Sequence, residues 1–179
     1  MSFVLITGGV RCGKSAFAEQ LAAMQSDSVL YVAFGVVTDE EMKSRIDAHK
    51  ERRPKHWGVW EDTDSLIIPN NIFSGYHVVL VDCLSTWLAN RCMQIPESEY
   101  KQPFHKECIR EEVREWLKCI KQSKQHIIAV SSEVGLGGVA MSPLGRLFQD
   151  LLGEVNQLAA EQADEVYAVL SGIPLRLKG

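Results

Sequence analysis

A glycine-rich segment near the N-terminus has the residue types and the spacing of a phosphate-binding loop. Its residues are Gly8, Gly9, Val10, Arg11, Cys12, Gly13, Lys14 and Ser15. Glycines let the backbone turn tightly around oxygen atoms, so that successive amide N–H groups point inward and form an anion nest at a helix N-terminus. In such a loop the lysine reaches the outer phosphates and the serine hydroxyl binds Mg²⁺. The segment therefore predicts a nucleoside triphosphate site, with Lys14 and Ser15 in those roles.

A carboxylate at the end of a buried strand is the second group that such a site needs, because it holds the metal beside the phosphates. Asp82 directly follows the apolar run 78–81 and fits this role. The same position also suits an N-cap of the helix that follows, and one carboxylate can serve both purposes. Asp82 is therefore a candidate metal ligand with a second possible role.

A charged segment, residues 45–57, contains two histidines, His49 and His56. Such a segment is most often a solvated helix face followed by a turn. Its basic residues also suit an anionic ligand, and a histidine there titrates near neutral pH and can act as nucleophile or general base. Pro54 ends the predicted helix before His56, because proline disfavours helical geometry in the residue that precedes it.

The elements that must position these groups alternate along the chain. Apolar runs predict strands at 4–7, 29–33, 78–81, 127–130 and 165–171. Helical periodicity predicts helices at 14–24, 39–50, 84–92, 105–123 and 144–162, and residues 94–103 are predicted to form a surface loop. Nearly unbroken apolar strands between helices are typical of a parallel sheet covered on both faces. We expect residues 1–179 to form a single P-loop α/β domain with a mostly parallel central sheet and helices on both faces.

Composition excludes several classes of protein. A net charge of −4 argues against broad nucleic-acid binding, which needs a strongly basic face. The N-terminal apolar run stops at Gly8 and is too short for a signal peptide or a membrane span. The five cysteines are scattered without zinc-ligand spacing, which indicates reduced thiols. We expect a cytoplasmic protein with no membrane span and no nucleic-acid partner.

Further motifs accompany the loop along nearly the whole chain. They are Thr7-Gly8-Gly9, Arg45-Ile46 with His49, Arg53-Pro54 with Trp57 and Glu61, and the segments 82–90, 132–135, 153–157, 163–166 and 171–178. In this ordered set the chain resembles the bifunctional adenosylcobinamide kinase/adenosylcobinamide-phosphate guanylyltransferase family of cobalamin biosynthesis. A phosphate-binding loop alone occurs in many families, whereas the ordered set is far more specific.

The resemblance implies two reactions. The first phosphorylates the aminopropanol hydroxyl of adenosylcobinamide with ATP or GTP. The second transfers GMP from GTP to the resulting phosphate through a guanylylated histidine, which matches His49 here, and it releases pyrophosphate. The resemblance also implies Mg²⁺ as cofactor and a homotrimer. His56 is the rival nucleophile, and its place beyond Pro54 favours His49.

The resemblance implies a set of nucleotide-binding positions in this chain. They are Phe34, Gly35 and Val36, then Lys50, Glu51, Arg52 and Arg53, and the acids Glu61 and Asp82. Three positions depart from the family pattern: Cys12 replaces a usual serine, Ser132 a common asparagine and Ala140 a usual proline. Residues 94–103 match the pattern poorly. The departures bear more on the corrinoid-facing surface than on the nucleotide.

Two other functions fit a phosphate-binding loop. One is a small-molecule kinase of another pathway that forms no covalent intermediate. The other is a GTP-binding switch without significant turnover. The absence of an Asn-Lys-x-Asp guanine motif weighs against the switch.

Overall fold

The structure is a computed structural model, and it describes residues 2–35, 40, 44, 47, 50–51 and 53–179. Seven strands of the described chain form one sheet in the order β3-β2-β4-β5-β1-β6-β7. They are β1 (Ser2–Gly8), β2 (Val29–Ala33), β3 (Gly58–Glu61), β4 (Val78–Asp82), β5 (His126–Val130), β6 (Glu165–Leu170) and β7 (Ile173–Lys178). The first six are parallel, and β7 is antiparallel to β6.

Helices connect the parallel strands. They are α1 (Lys14–Gln25), α2 (Asn70–Phe73), α3 (Leu84–Met93), α4 (Pro103–Gln122) and α5 (Pro143–Gln162). Glu40, Ser44, Asp47, Lys50 and Glu51 are also helical, in the part of the chain where a helix over 39–50 is predicted. The side chain of Ser142 caps α5, since its Oγ accepts a hydrogen bond of 3.0 Å from the backbone N–H of Gly145.

Two apolar cores lie on opposite faces of the sheet. Alternate side chains of β1 point to opposite faces, so that Phe3 and Leu5 join one core while Val4 and Ile6 join the other. Helix α1 covers the second core through Ala18 and Ala22, and α3, α4 and α5 cover the first. Burial on both faces explains why the central strands are unbroken apolar runs. The predicted α/β class with a mostly parallel sheet is confirmed.

The sheet is larger than the five predicted strands. Strand β3 has only four residues, and its side chains alternate between half-buried and exposed, so it lacks the apolar run of a central strand. Strand β7 is exposed throughout and contains Pro174, which an edge strand tolerates. Ser171 and Gly172 join β6 to β7 with φ angles of 51° and 82°, which is the geometry of a tight hairpin turn.

The predicted surface loop at 94–103 contains a short 3₁₀ helix, Glu97–Glu99, and α4 begins at Pro103, two residues earlier than predicted. Proline suits the first turn of a helix because no partner is needed there for the missing N–H. None of the described helices is long and apolar enough to cross a membrane.

We expect Leu151→Ala to lower the free energy of unfolding by about 2–5 kcal/mol, because a buried side chain is replaced by a cavity. Leu151 lies in α5 and is 0% exposed. Met24→Ala is the control, since Met24 is 84% exposed and surface changes usually alter stability by less than about 0.5 kcal/mol. Urea unfolding followed by circular dichroism measures both, and equal losses would contradict the assignment of the core.

Candidate functional site: a phosphate-binding loop joined to a basic cavity

The phosphate-binding loop runs from the end of β1 to the start of α1. Gly13 is the N-cap of α1 and has a φ of 97°, which favours glycine. Arg11 also has a positive φ, 55°. The Nζ of Lys14 donates a hydrogen bond of 3.1 Å to the carbonyl of Gly9, so this side chain lies folded over the loop. The strand–loop–helix order that the sequence predicts is confirmed.

The loop is supported from behind by the β6–β7 hairpin. A Cβ atom on Gly8 would lie 2.6 Å from the carbonyl oxygen of Val169 in β6, so only glycine fits there without a shift. The backbone N–H of Gly172, in the hairpin turn, donates a hydrogen bond of 2.8 Å to the carbonyl of Cys12. This carbonyl is therefore held on the hairpin side of the loop.

Asp82 is the last residue of β4 and lies beside the first turn of α1. Its Oδ1 accepts a hydrogen bond of 3.2 Å from the hydroxyl of Ser15. Its Oδ2 accepts one of 2.8 Å from the hydroxyl of Tyr31 in β2. The N-cap of α3 is Cys83, so Asp82 is not that cap. Its place next to the loop is the one expected of a metal-binding acid.

Tyr31 is buried and acts as a permanent donor to Asp82. Burial raises the pKa of the Tyr31 hydroxyl far above its usual range, and the charge of Asp82 raises it further. The hydroxyl therefore keeps its proton at every physiological pH. The guanidinium of Arg53 lies over the Tyr31 ring, 3.9 Å from its centroid, in a cation–π contact. Tyr31 thus links Asp82 to the basic segment.

That basic segment lines a cavity of about 480 Å³. The lining residues are Lys50, Arg53, Pro54, Lys55, Trp57, Val59 and Glu61. Glu61 ends β3, and its Oε1 lies 3.3 Å from the Nζ of Lys50. Three cationic side chains against one carboxylate favour an anionic ligand, and the volume is in the range of small-molecule sites. The cavity thus brings Lys50 and Arg53, which were predicted together in the basic segment, next to Glu61, which was predicted as a separate acid.

Other predicted positions lie apart from the cavity or outside the described residues. Phe34 is 1% exposed and packs in the core, so that a ligand would meet its backbone. Gly35 and Glu51 are exposed. His56 is exposed on the turn after Pro54. Outside the described residues lie Val36, His49 and Arg52.

Tyr31 is a site residue that the sequence analysis missed. Its strand, Val29–Ala33, is otherwise aliphatic and predicts nothing more than a buried strand. A tyrosine inside such a strand needs a hydrogen-bond partner for its hydroxyl. This requirement is the one feature of the sequence that indicates a polar neighbour for Tyr31.

Comparison with known proteins indicates the same family as the sequence motifs. The profile of a family described as "Cobinamide kinase / cobinamide phosphate guanyltransferase" matches residues 4–177. The bifunctional adenosylcobalamin biosynthesis protein CobU of Escherichia coli (strain K12) is 35% identical over 182 residues, which cover 98% of this chain and 99% of that protein. The bifunctional adenosylcobalamin biosynthesis protein CobP of Pseudomonas aeruginosa is 37% identical over 177 residues, with coverages of 98% and 96%. The chain belongs to this family.

Solved structures of more distant sequence share the fold of this family member. A protein studied as PH0250 from Pyrococcus horikoshii OT3 aligns with a TM-score of 0.55 and 9% identity over 99% of this chain and 86% of its own. The flagellar accessory protein FlaH from Methanocaldococcus jannaschii gives a TM-score of 0.53 and 17% identity, with coverages of 99% and 78%. At such identities the likeness concerns the fold alone.

We expect Tyr31→Phe to lower the free energy of unfolding by about 1.5–3 kcal/mol and to weaken metal-dependent nucleotide binding, because it removes one buried hydrogen bond to a carboxylate. Tyr167→Phe is a matched control, since the Tyr167 hydroxyl donates a hydrogen bond of 2.7 Å to the carboxylate of Glu165 in the same strand. Urea unfolding and calorimetric titration with nucleotide and Mg²⁺ measure the two effects. Equal nucleotide affinities in both variants would contradict a role of Tyr31 in the site.

Proposed function

We propose that this chain phosphorylates adenosylcobinamide with ATP or GTP and then transfers GMP from GTP to adenosylcobinamide phosphate, giving adenosylcobinamide-GDP. Membership of the family supports both activities. The observation that carries the proposal is the connection from the loop to the cavity: Ser15 contacts Asp82, Asp82 contacts Tyr31, and Tyr31 stacks with Arg53. These contacts connect the phosphate-binding loop to a second pocket suited to anions. Such an arrangement suits an enzyme whose two reactions take place at different phosphorus atoms of the nucleotide, the γ-phosphorus and the α-phosphorus.

In the proposed complex the loop holds the phosphates and the cavity holds the nucleoside. Backbone N–H groups from Gly8 to Gly13 and the ammonium of Lys14 surround the phosphate oxygens. The base of guanine presents N1–H and N2–H₂ as donors, which the carboxylate of Glu61 at the rim of the cavity is suited to accept. Lys50, Arg52 and Arg53 neutralise charge on the nucleotide, and Gly35 and Val36 contact it through the loop after β2.

We propose Mg²⁺ as the cofactor, held by the Ser15 hydroxyl and the Asp82 carboxylate. Both are hard oxygen ligands, and they lie 3.2 Å apart at the phosphate-binding loop. The described residues contain no group of three or more acids, histidines or cysteines arranged to hold a metal ion. Two protein oxygens fit Mg²⁺, which usually keeps several waters and binds substrate phosphates. When bound, the ion neutralises phosphate charge during transfer.

For GMP transfer we propose His49 as the nucleophile. Its imidazole nitrogen attacks the α-phosphorus of GTP, the bond from that phosphorus to the bridging oxygen breaks, and pyrophosphate leaves. An oxygen of the corrinoid phosphate then attacks the same phosphorus, and the phosphorus–nitrogen bond breaks to release the histidine. A covalent intermediate divides one difficult step into two easier ones.

We expect incubation with α-labelled GTP to leave an acid-labile, base-stable label on the wild-type protein and none on His49→Ala, because a phosphoramidate has this stability. His56→Ala is the matched control and should keep the label, since His56 lies on an exposed turn. The label is measured by filter binding and peptide mass spectrometry. Wild-type protein that phosphorylates adenosylcobinamide but takes up no label would overturn the transferase mechanism and indicate a simple kinase.

A variant of the phosphate-binding loop distinguishes the effect of removing the nucleophile from the effect of losing nucleotide binding. Lys14→Ala should abolish both the label and the phosphorylation of adenosylcobinamide, because both reactions require the same loop to bind the triphosphate. His49→Ala should keep phosphorylation within about tenfold of wild type, since the nucleophile has no part in the kinase step. Loss of phosphorylation in His49→Ala would indicate a structural role for that residue instead.

We propose that the protein is a cytoplasmic homotrimer. Its described cysteines are free thiols, as in a reducing compartment. Two apolar side chains of the edge strand β7, Ile173 and Leu175, lie on one face of the sheet at a spacing of two and are 70% and 53% exposed. An exposed apolar edge strand readily pairs with another chain, and a second copy would cover it.

We expect Leu175→Glu to reduce the mass of the particle from that of three chains to that of one, because a carboxylate replaces an apolar side chain in the contact. Light scattering coupled to size-exclusion chromatography measures the mass. Val10→Glu is the control, since Val10 is 72% exposed but lies in the phosphate-binding loop. A Leu175→Glu protein with wild-type mass would contradict assembly through β7.

A further inference from the structure

A buried amide fixes three consecutive residues after β5. Asn156 in α5 is 7% exposed. Its Oδ1 accepts a hydrogen bond of 2.6 Å from the Ser131 hydroxyl, and its Nδ2 donates to the Ser132 carbonyl and to the Glu133 carboxylate, both at 3.0 Å. Asn156 is thus engaged through both ends of its side chain, which makes it a rigid support for this segment.

The third of these residues, Glu133, lies beside the start of the phosphate-binding loop. Strand β5 is the neighbour of β1, and Ser131 and Glu133 continue the pairing past its end. The N–H of Ser131 donates to the Ile6 carbonyl at 2.9 Å, and the N–H of Glu133 donates to the Gly8 carbonyl at 3.0 Å. Strand β5 also separates β1 from β4, so Glu133 follows the strand that lies between the loop and Asp82.

The other described carboxylates at this edge of the sheet are already engaged or lie farther away in the strand order. Asp82 is bonded to Ser15 and Tyr31. Glu61 ends β3, which is four strands from β1, and it pairs with Lys50. Asp62 accepts from the backbone N–H groups of Asp64 and Ser65. Glu133 is the carboxylate of this set whose strand directly neighbours the strand of the loop.

We propose that Glu133 is the general base of the kinase reaction and that Asn156 is the residue that positions it. The inference rests on the proposed function, since it concerns the phosphorylation of an alcohol at this loop. The hydroxyl oxygen of the acceptor attacks the γ-phosphorus, and the bond from that phosphorus to the β,γ-bridging oxygen breaks. The nucleoside diphosphate leaves, and the hydroxyl proton passes to the carboxylate of Glu133 and then to solvent.

Only one of the two reactions needs this base. An alcohol holds its proton at neutral pH, and phosphoryl transfer to a hydroxyl uses a positioned carboxylate to accept that proton. In GMP transfer the acceptor is a phosphate monoester, whose second pKa is about 6, so that it is already an anion. Loss of a base therefore affects the kinase reaction and leaves guanylyl transfer largely intact.

We expect Glu133→Gln to lower kcat for phosphorylation of adenosylcobinamide by about 10²–10⁴-fold, the usual contribution of a general base. The amide keeps an oxygen that accepts from Asn156, so the side chain should hold its position. The same preparation should keep the α-label from GTP and transfer GMP to supplied adenosylcobinamide phosphate within about threefold of wild type, an estimate that follows from the absence of a base in that reaction. The acidic limb of the kinase pH profile should disappear.

Two variants complete the experiment. Glu154→Gln is the matched control: Glu154 of α5 pairs with Arg110 of α4, so both reactions should remain at wild-type level. Asn156→Ala should lower kcat for phosphorylation by about 10–100-fold with the KM for ATP unchanged, because a small displacement of a catalytic group has effects of this size. Its folding is checked by thermal unfolding, and Glu133→Gln tests the base independently of it.

The outcomes are separable from those of the proposed function. Full kinase activity in Glu133→Gln would overturn the inference and leave the proposed function in place. Equal loss of both reactions would also overturn it, since a carboxylate that serves metal or nucleotide binding affects both. Wild-type protein with neither reaction would instead overturn the proposed function.

Discussion

The contact of Asp82 with Ser15 and Tyr31 is the interaction on which the site depends. Asp82 ends β4, Ser15 lies in the first turn of α1 and Tyr31 lies in β2, so one carboxylate joins three elements that are separate in the chain. A partly buried charge is tolerable only where hydrogen bonds compensate for lost solvation. Tyr31 and Ser15 provide such bonds. The ring of Tyr31 also contacts the guanidinium of Arg53, which lines the cavity.

The topology of the sheet explains why these groups meet. In a parallel sheet all carboxyl ends lie at one edge, and ligands of open α/β folds bind there. Strand β5 lies between β4 and β1, with Val130 in register with both Asp82 and Ile6. The segment after β5 therefore passes between Asp82 and the phosphate-binding loop. Helix α5 then holds that segment through the amide of Asn156.

The hairpin β6–β7 supports the phosphate-binding loop from behind. Its turn donates to the Cys12 carbonyl, and β6 leaves no room for a side chain at Gly8. The family usually has serine at position 12, and here the half-buried thiol lies against the same glycine. In a loop of this kind the backbone N–H groups hold the anion, so the proposed contacts to phosphate do not depend on the side chain at this position.

Much of the architecture was predictable from local pattern. The strands at 29–33 and 78–81 are apolar runs of the length that a doubly covered parallel strand requires, and the spacing of Gly8, Gly13 and Lys14 identifies the loop without tertiary information. Strands β3 and β7 were missed because their residues are half-buried or exposed and lack that run. Their pairing depends on neighbours that are distant in the sequence.

The sequence by itself thus determined the fold class and the position of the glycine-rich loop and of the acid at the end of β4, because each depends on a local pattern. Only the tertiary structure decided that Asp82 contacts Tyr31, that Arg53 covers the Tyr31 ring and that Asn156 reaches Glu133. These contacts join residues separated by 51, 22 and 23 positions. The physical reason is that strand order and helix docking set such distances, and no local spacing encodes them.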